Sequence, residues 1–300
     1  MLAWFPLPPN SIALAWWNTS LAPGGRSRGD AVTYRTAAEV LWKLLGDEAV
    51  DLLALGEVSA VDVEACREAT AGIRSGLRWH TPSARLTRGS ALAVVYDSSK
   101  LILRSDILII DRFAGVGFVT GWHLSFESVL GGDALNVVVV HWPSHIIEEA
   151  ARKRSWIAAS LHRAFSSYRD VVILGDFNDE PFCESLRDGL AAYRDRDLVR
   201  RREEAFYNPF WRLLGEQQHL EDEATNKLPA GTHFYRSGTA TRWYTYDQII
   251  VSSGLVMPDH WRLTEGATRV VLPSAILAED GTMRSPFDHL PVATSFSYTP

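Results

Sequence analysis

Six places in the sequence put polar side chains of catalytic type next to short apolar runs. The clearest is VVILGDFNDEP, residues 171–181, in which four apolar residues lead directly into Asp176 and Asn178. A buried strand that ends in crowded acidic and amide groups is costly unless those groups have partners. In α/β sheets, the crevice at the strand ends is where ligands bind. The residues at the six places are Asn18, Glu57, His141, Asp176 with Asn178, Asp247, and Asp288 with His289.

Each of these residues has a simple structural interpretation when it is taken alone. Asp176 and Asn178 are typical of an Asx turn. Glu57 is typical of a surface, and a single His141 is more often a core histidine with satisfied hydrogen bonds. The recurrence of such residues at one strand end after another favours a shared functional site.

The apolar pattern predicts the elements that position these residues. Two segments, 32–46 and 146–166, have apolar residues at helical spacing. No internal repeat or linker is visible, so we predict one α/β domain over residues 1–300. The predicted strands are 11–18, 50–59, 90–97, 101–110, 115–128, 134–145, 171–178, 242–253 and 289–298.

Taken together, these segments resemble the endonuclease/exonuclease/phosphatase superfamily, which includes deoxyribonuclease and abasic-site endonuclease relatives. The matching motifs occur in the order of that family and span residues 11–296. They are WWN, LLALGEV, VVVVHWPS, ILGDFNDEP, YDQIIVS and FDHLPV. The resemblance implies a four-layer α/β/β/α sandwich, in which two packed mixed sheets are flanked by helices and the site lies at one rim of the sheets.

The resemblance also implies a metal site. Glu57 and Asp288 offer carboxylate oxygens, and Asn18 offers an amide oxygen. A few oxygen ligands at one rim suit Mg²⁺, which keeps several waters and takes a substrate phosphate as a further ligand. Mn²⁺ is the expected substitute.

The remaining motif residues are implied to carry the catalytic steps. Asp176 orients or deprotonates the attacking water, and Asn178 helps to hold it. His289 donates a hydrogen bond to a phosphate oxygen and is oriented by Asp247, while His141 is a second donor. Catalysis of this kind depends on positioning and electrostatics and needs no covalent enzyme intermediate.

Seven other residues are weaker candidates for contact with substrate. Aromatic residues interleaved with arginine can stack on bases and bind phosphate. The alternatives are a helix-entry position for the histidine, an exposed helix face for the first two arginines and strand packing for the rest. The seven are His145, Arg152, Arg154, Arg236, Arg242, Trp243 and Tyr244.

Composition indicates an ordinary globular protein of 300 residues, 46% hydrophobic and 22% charged. A net charge of −6 does not favour a nucleic-acid binder, but a metal site can supply local positive charge. The two cysteines, Cys66 and Cys183, indicate neither a disulfide framework nor a thiolate zinc site. With no recognisable signal peptide or membrane span, we expect a cytoplasmic monomer.

Three functions are open at this point. The first is a Mg²⁺- or Mn²⁺-dependent phosphodiesterase that cleaves DNA or RNA. The second is a phosphatase or phospholipase-type phosphodiesterase on a small substrate, such as an inositol phosphate, a nucleotide or a sphingomyelin-like lipid. The third is a binding module that has kept the fold without turnover, which the complete set of polar residues makes the weakest of the three.

Overall fold

The computed structural model describes residues 10–82, 92–145, 149–214, 229–257 and 260–299. Its strands alternate with a small number of helices along the chain. The strands are β1 (Ser11–Asn18), β2 (Leu52–Gly56), β3 (Leu77–His80), β4 (Leu92–Asp97), β5 (Leu101–Phe113), β6 (Val116–Ser128), β7 (Leu135–His141), β8 (Val171–Asp176), β9 (Ala192–Tyr193), β10 (Phe206–Tyr207), β11 (His233–Phe234), β12 (Trp243–Tyr244), β13 (Asp247–Ser252), β14 (Trp261–Leu263), β15 (Arg269–Val270) and β16 (Val292–Tyr298).

The helices are fewer, and capping side chains stabilise the starts of the first two. The Asp30 carboxylate accepts from the backbone N–H groups of Val32 and Thr33 at the first helix, and Ser59 forms a capping box with Asp62 at the second. The α-helices are α1 (Ala31–Trp42), α2 (Ala60–Ala69), α3 (Ala150–Phe165) and α4 (Arg196–Arg200). Short 3₁₀ helices cover Pro23–Gly25, Pro209–Leu213, Ser253–Val256 and Glu265–Ala267, and π-helical turns cover Lys43–Asp47 and Ser185–Gly189.

Two mixed sheets form the centre of the molecule. The first has the order β14-β16-β1-β2-β4-β3, with β15 also paired to β16. The second has the order β5-β6-β7-β8-β13-β10-β9, and β11 and β12 form a separate hairpin. Each sheet contains a parallel pair at its middle, β1 with β2 and β7 with β8, and the second sheet also has the short parallel pair β9 and β10 at its edge.

Three apolar layers hold the sheets and helices together. The residues between the two sheets include Trp16, Leu174 and Ile249, all fully buried. A second layer packs α1 and α2 against the outer face of the first sheet, and a third packs α3 against the second sheet. This arrangement is the α/β/β/α sandwich that the resemblance implied, and it confirms the predicted fold class.

Several predicted boundaries need correction. The predicted strand 242–253 is divided, because β12 belongs to the separate hairpin and β13 starts only at Asp247. The predicted strand 289–298 begins at Val292, so His289 precedes it. The predicted helix 32–46 changes at Lys43 to a π-helical turn. In the predicted helix 146–166, α3 begins at Ala150, and residues 146–148 lie outside the described residues.

Within the described ranges, no helix combines the length and the apolar character needed to cross a membrane.

Candidate active site

Strand direction brings the polar residues to one edge of both sheets. In the first sheet, the parallel strands β1 and β2 both end at this edge, and the antiparallel strand β16 begins there. In the second sheet, β7 and β8 end at the edge and β13 begins there. The polar residues of the motifs therefore meet although they are far apart in sequence, because each stands at the same end of a neighbouring strand.

Register aligns three of these residues across the second sheet. His141 on β7 is directly paired with Asp176 on β8, and Asp176 is paired with Asp247 on β13. The Asn178 side chain donates to the carbonyl of Trp142, at 3.0 Å, and so ties the segment after β8 to the segment after β7.

Gly175 makes the close approach of β8 to β7 possible. Its φ is +155°, and a Cβ built on it would lie 1.8 Å from the carbonyl oxygen of Val140. A side chain at position 175 would therefore push apart the two strands that carry His141 and Asp176.

The structure contains the Asx turn considered from the sequence, and this turn uses only one of the two oxygens of the Asp176 carboxylate. The Asn178 backbone N–H donates to Asp176 Oδ1 at 2.8 Å, and Asn178 has a φ of +50°. Asp176 Oδ2 instead accepts from the amide nitrogen of Asn18, at 3.3 Å. The turn thus fixes one carboxylate oxygen and points the other toward the first sheet.

His289 is held by a buried carboxylate. Its Nδ1 lies 2.8 Å from Asp247 Oδ2. The other oxygen of Asp247 accepts from the indole N–H of Trp16, at 2.7 Å, and the backbone N–H of Asp247 donates to Thr232. These contacts fix the ring orientation and leave Nε2 of His289 facing Asp176, 3.8 Å from its Oδ2.

The carboxylates around His289 set its charge. Burial alone would lower the pKa of this imidazole, but Asp247, together with Asp176 and Asp288, raises the pKa of His289 well above its usual value. The raised pKa favours the imidazolium, in which Nδ1–H is donated to Asp247 and Nε2, 3.5 Å from the Asn18 amide nitrogen, carries the second proton.

Two imidazoles converge on one oxygen of Asp176. His141 Nε2 lies 3.7 Å from Asp176 Oδ2, and His289 Nε2 lies 3.8 Å from the same oxygen. Both distances are too long for a hydrogen bond, so neither imidazole nitrogen is used up by this carboxylate. A phosphate oxygen or a water placed among these groups would find two nitrogens and one carboxylate oxygen around it.

The residues expected to bind metal lie beside this cluster. Glu57 follows β2 with a φ of +53°, and its carboxylate is 3.8 Å from His141 Nε2. Asp288 accepts a hydrogen bond from the Ser20 hydroxyl. Asn18 turns its amide oxygen to the backbone N–H of Ser20, at 3.2 Å. An amide oxygen has two lone pairs, so this contact leaves Asn18 able to bind an ion as well.

Among the described residues, two sets of three acidic or histidine side chains bring ligand atoms within 4.8 Å of one another. One set is Asp176, Asp247 and His289, and the other is His233, Asp288 and His289. Glu57 belongs to neither set. The first set is already joined by the His289–Asp247 hydrogen bond, so the oxygens least committed elsewhere are those of Glu57 and Asp288. Hard carboxylate oxygens of this kind fit a divalent cation.

His233 belongs to the site, and sequence reasoning missed it. Its ring centroid lies 4.5 Å from that of His289, and on its other side it stacks on Tyr246 at 5.3 Å. Burial, with the neighbouring His289 cation, lowers the pKa of His233 to about 4, so this imidazole is neutral at pH 7. Its strand is only two residues long, and no pattern in the sequence marks it.

Arg154 is placed differently from both expectations, which were a phosphate contact and an exposed helix face. Its side chain is 3% exposed and pairs with Asp179 at 2.9 Å. It also donates to the Pro143 carbonyl, at 3.0 Å, and lies 3.3 Å from His145 Nδ1. Arg154 therefore joins the segments after β7 and β8 and is not available to substrate. His145 stays about half-exposed, with its ring 5.6 Å from that of Tyr246.

The environment of Arg152 differs from that of Arg154. It is exposed, pairs with Glu149 at 2.7 Å and lies over the ring of Phe113. There it lines a surface cavity of about 520 Å³ between α3 and the end of β5. The lining includes none of the strand-end residues, and this location gives no support to a substrate role for Arg152.

The other predicted substrate residues form a layered loop above the strand ends. The guanidinium of Arg242 lies 4.4 Å from the centroid of the Phe234 ring, and Trp243 contacts the same ring at 5.0 Å. Arg236 donates to the carbonyl of Phe287, next to Asp288. Tyr244 stacks on Tyr246 at 5.0 Å. The segment packs on itself, as the simpler interpretation predicted, and still borders the site.

Comparison with known families decides the assignment. The model of the Endonuclease/Exonuclease/phosphatase family matches residues 18–289, from the first of the strand-end residues to the last. The chain belongs to this family. This match confirms the family resemblance stated from the sequence. Members of the family are phosphoester hydrolases. A search by sequence finds no match among curated proteins.

Solved structures share the fold at low sequence identity. The human Nocturnin catalytic domain with bound sulfate aligns with a TM-score of 0.61 at 16% identity, over 97% of this chain and 95% of that one. D. rerio TDP2 complexed with a single-strand DNA product gives 0.58 at 13% identity, over 96% and 99%. A Bacteroides thetaiotaomicron mannosyl-6-phosphatase gives 0.58 at 14% identity, over 96% and 100%. At these identities the likeness establishes the fold alone.

Proposed function

We propose that this protein is a divalent-metal-dependent phosphodiesterase that hydrolyses nucleic acid by attack of an activated water. The observation that carries the proposal is the meeting of His141 and His289 at one oxygen of Asp176, with Nε2 distances of 3.7 and 3.8 Å. The Asp176 side of this cluster is buried, since Asp176 is 2% exposed. A carboxylate that faces two imidazole nitrogens suits transfer of a water proton beside a phosphate.

We assign metal binding to the residues next to the strand ends of the first sheet. Glu57 and Asp288 would hold the ion, with the amide oxygen of Asn18 as a further ligand. Mg²⁺ is the expected ion and Mn²⁺ its substitute, because both favour oxygen ligands. When bound, such an ion polarises the phosphate and stabilises the leaving oxygen.

The groups that move protons and hold the phosphate come from both sheets: Asp176 and His141 from strands of the second, and His289 from the segment before β16 of the first. Asp176 accepts the proton of the attacking water, and the N–H of Asn178 keeps its second oxygen fixed at 2.8 Å. His289 donates Nε2–H to a phosphate oxygen, because Asp247 holds its opposite nitrogen at 2.8 Å. His141 is the second donor. Charge that develops on the phosphate is thus met by donors already oriented before reaction.

A polymeric substrate is supported by the surroundings of the site. The half-buried Trp243 and the exposed Arg236 and Arg242 border the strand ends, a combination that suits a nucleic-acid strand. One of the structural relatives, D. rerio TDP2, is complexed with single-strand DNA product. His145 and Tyr244 are the remaining proposed substrate contacts.

The second candidate function is hydrolysis of a small phosphate ester. It is favoured by a structural relative that is a mannosyl-6-phosphatase, and by the net charge of −6, which does not attract a polyanion. The same strand-end groups would serve both reactions.

A substrate panel separates the two candidates. Purified protein and an Asp176→Asn variant are incubated with single-stranded DNA, double-stranded DNA, RNA and a set of phosphomonoesters, in Mg²⁺, Mn²⁺ or EDTA. We expect shortening of a polymer that requires metal and Asp176. Release of inorganic phosphate with the polymers intact would assign the second function, and no metal-dependent reaction on any substrate would contradict both.

A further inference from the structure

Arg28 lies against the main chain that carries Asp288. Its Nε donates to the Ser20 carbonyl at 2.8 Å, and one terminal nitrogen donates to the Pro286 carbonyl at 3.2 Å. The Ser20 hydroxyl in turn donates to the Asp288 carboxylate. The loop 23–30 thus returns to the strand ends and leaves a guanidinium beside the proposed metal side of the site.

Arg236 approaches the same segment from the β11–β12 hairpin. It donates to the Phe287 carbonyl at 3.3 Å, and its guanidinium lies 5.8 Å from the centroid of the Phe234 ring. Arg28 and Arg236 therefore bind two consecutive carbonyls, those of Pro286 and Phe287, immediately before Asp288. Two parts of the chain more than 200 residues apart thus each place a guanidinium against the segment that precedes Asp288.

Among the described residues, neither guanidinium has an ion-pair partner. Within the described ranges, the ion pairs involve other arginines, for example Arg74 with Asp97 and Arg154 with Asp179, and none includes Arg28 or Arg236. Both side chains are exposed. Each guanidinium keeps N–H donors that the carbonyl contacts do not use, in a planar fork that matches a phosphate. Two exposed arginines without an ion-pair partner among the described residues are therefore able to bind an anionic ligand beside the site.

We propose that Arg28 and Arg236 form a second phosphate subsite beside Asp288. The inference deepens the proposed function and rests on it: the substrate is a phosphodiester with another phosphate next to the one that is cleaved. The arginines hold the main chain before Asp288 and not its carboxylate, so they border the scissile phosphate without replacing its ligands. The shared chemistry is a pair of neighbouring phosphates, as a nucleic-acid strand or a small bisphosphate provides.

The subsite can be measured by equilibrium binding without turnover. The Asp176→Asn variant in Mg²⁺ is titrated with three thymidine dinucleotides, namely the unphosphorylated form, the 5′-phosphorylated form and the 3′-phosphorylated form. The same titrations are made after adding Arg28→Ala, Arg236→Ala or both. Arg26→Ala is the matched control, because Arg26 is an exposed arginine of the same loop.

We expect one phosphorylated dinucleotide to bind about tenfold more tightly than the unphosphorylated form, as a charge-assisted bidentate contact provides. The double variant should lose this ratio, while Arg26→Ala keeps it. Lysine at position 28 or 236 should retain part of it, because the charge remains and the fork is lost. The readout is the ratio of the affinities for the phosphorylated and unphosphorylated dinucleotides, because general damage to the site would weaken the binding of both equally.

Equal affinity for all three dinucleotides, or an unchanged ratio in the double variant, would overturn the subsite. Inositol bisphosphate is tested as a competitor of the dinucleotide. If it binds at least as tightly as the dinucleotide, and if this affinity depends on Arg28 and Arg236, the result would support the subsite and assign it to a small bisphosphate. If the native chain cleaves no phosphate ester while the ratio holds, the proposed function fails and the subsite stands.

Discussion

Two regions of the active site are built in opposite ways. The floor consists of Asp176, Asp247 and His289, which are 2%, 0% and 6% exposed. His289 is hydrogen-bonded to Asp247, and Asp176 accepts from Asn178 and Asn18. The rim consists of residues 235–244, most of which are exposed. Each floor residue has its partners before any substrate arrives, whereas the rim arginines Arg236 and Arg242 lie against a carbonyl and a ring.

This difference indicates how the work of the site is divided. A buried, hydrogen-bonded floor loses little further freedom on binding and can stabilise developing charge without rearrangement. An exposed rim held by ring stacking can change its residues without disturbing the fold. We therefore expect the floor to determine the chemistry and the rim to determine the substrate, and the following changes test that division from the largest effect to the smallest.

The largest effect is expected for Asp176→Asn, which keeps the shape of the side chain and removes the carboxylate. Phosphodiester turnover should fall by as much as about 10⁴-fold, the upper end of the range for loss of a general base. The measurement is the cleavage rate in Mg²⁺, with thermal unfolding as a check on folding. The matched control is Asp188→Asn at an exposed acid paired with Arg187, and an equal loss in both variants would argue against the assignment.

Loss of Arg154 should damage the support of the floor. Arg154→Ala leaves Asp179 buried without its cation, and breaking such a pair costs about 3–5 kcal/mol in the free energy of unfolding. Urea denaturation measures the change. Arg152→Ala, at an exposed arginine of the same helix, should stay within about 0.5 kcal/mol of the native chain. Similar stabilities for the two variants would show that Arg154 does not hold the segments after β7 and β8.

Replacing Asp247 should change both the rate and its pH dependence. Asp247→Asn removes a carboxylate that raises the pKa of His289. A raised pKa keeps the imidazolium at neutral pH, and activity that needs it is lost as the pH rises through that pKa. The variant should therefore be about 10²-fold slower and should lose activity at a lower pH than the native chain. A pH–rate profile measures this, and an unshifted alkaline limb would mean that His289 does not act as the cation.

The smallest effect is expected at the rim. Trp243→Ala removes a half-buried ring that packs on Phe234, and the KM for an oligonucleotide should rise about three- to tenfold, as for loss of one weak base-stacking contact, while kcat changes little. Trp156→Ala, on the outer face of α3, is the control and should leave KM unchanged. If the Trp243→Ala variant has a lower kcat and an unchanged KM, Trp243 contributes to the chemical step. That result would contradict the division of roles between floor and rim.

The residues at the strand ends were predictable because the apolar pattern and the direction of the strands determine their positions. Asn18, His141 and Asp176 each end an apolar run that forms a central strand, so the periodicity located them and the parallel pairs brought their ends together. The partner of His289 followed from the family resemblance. The outer strands β9, β10 and β15, each only two residues long, have too few residues to produce a pattern.

Other parts of the site could not be predicted, because they depend on tertiary contacts. His233 faces His289 through an isolated bridge that no local pattern marks. Arg154 has helical spacing and charge typical of an exposed face, and only the position of Asp179 reveals why it is buried. Arg28 reaches Pro286 across 258 positions of the chain. Long-range partners of this kind become visible only when the sheets are assembled.

The central claim is that the groups at this edge act together on a metal-bound phosphate. The most direct test is phosphodiester cleavage as a function of Mg²⁺ concentration, for the native chain and for Glu57→Gln. We predict no cleavage in EDTA, recovery on addition of Mg²⁺, and a half-maximal Mg²⁺ concentration at least about tenfold higher in the variant, as the loss of a carboxylate ligand requires. Full cleavage in EDTA, or identical metal curves for both proteins, would contradict the account.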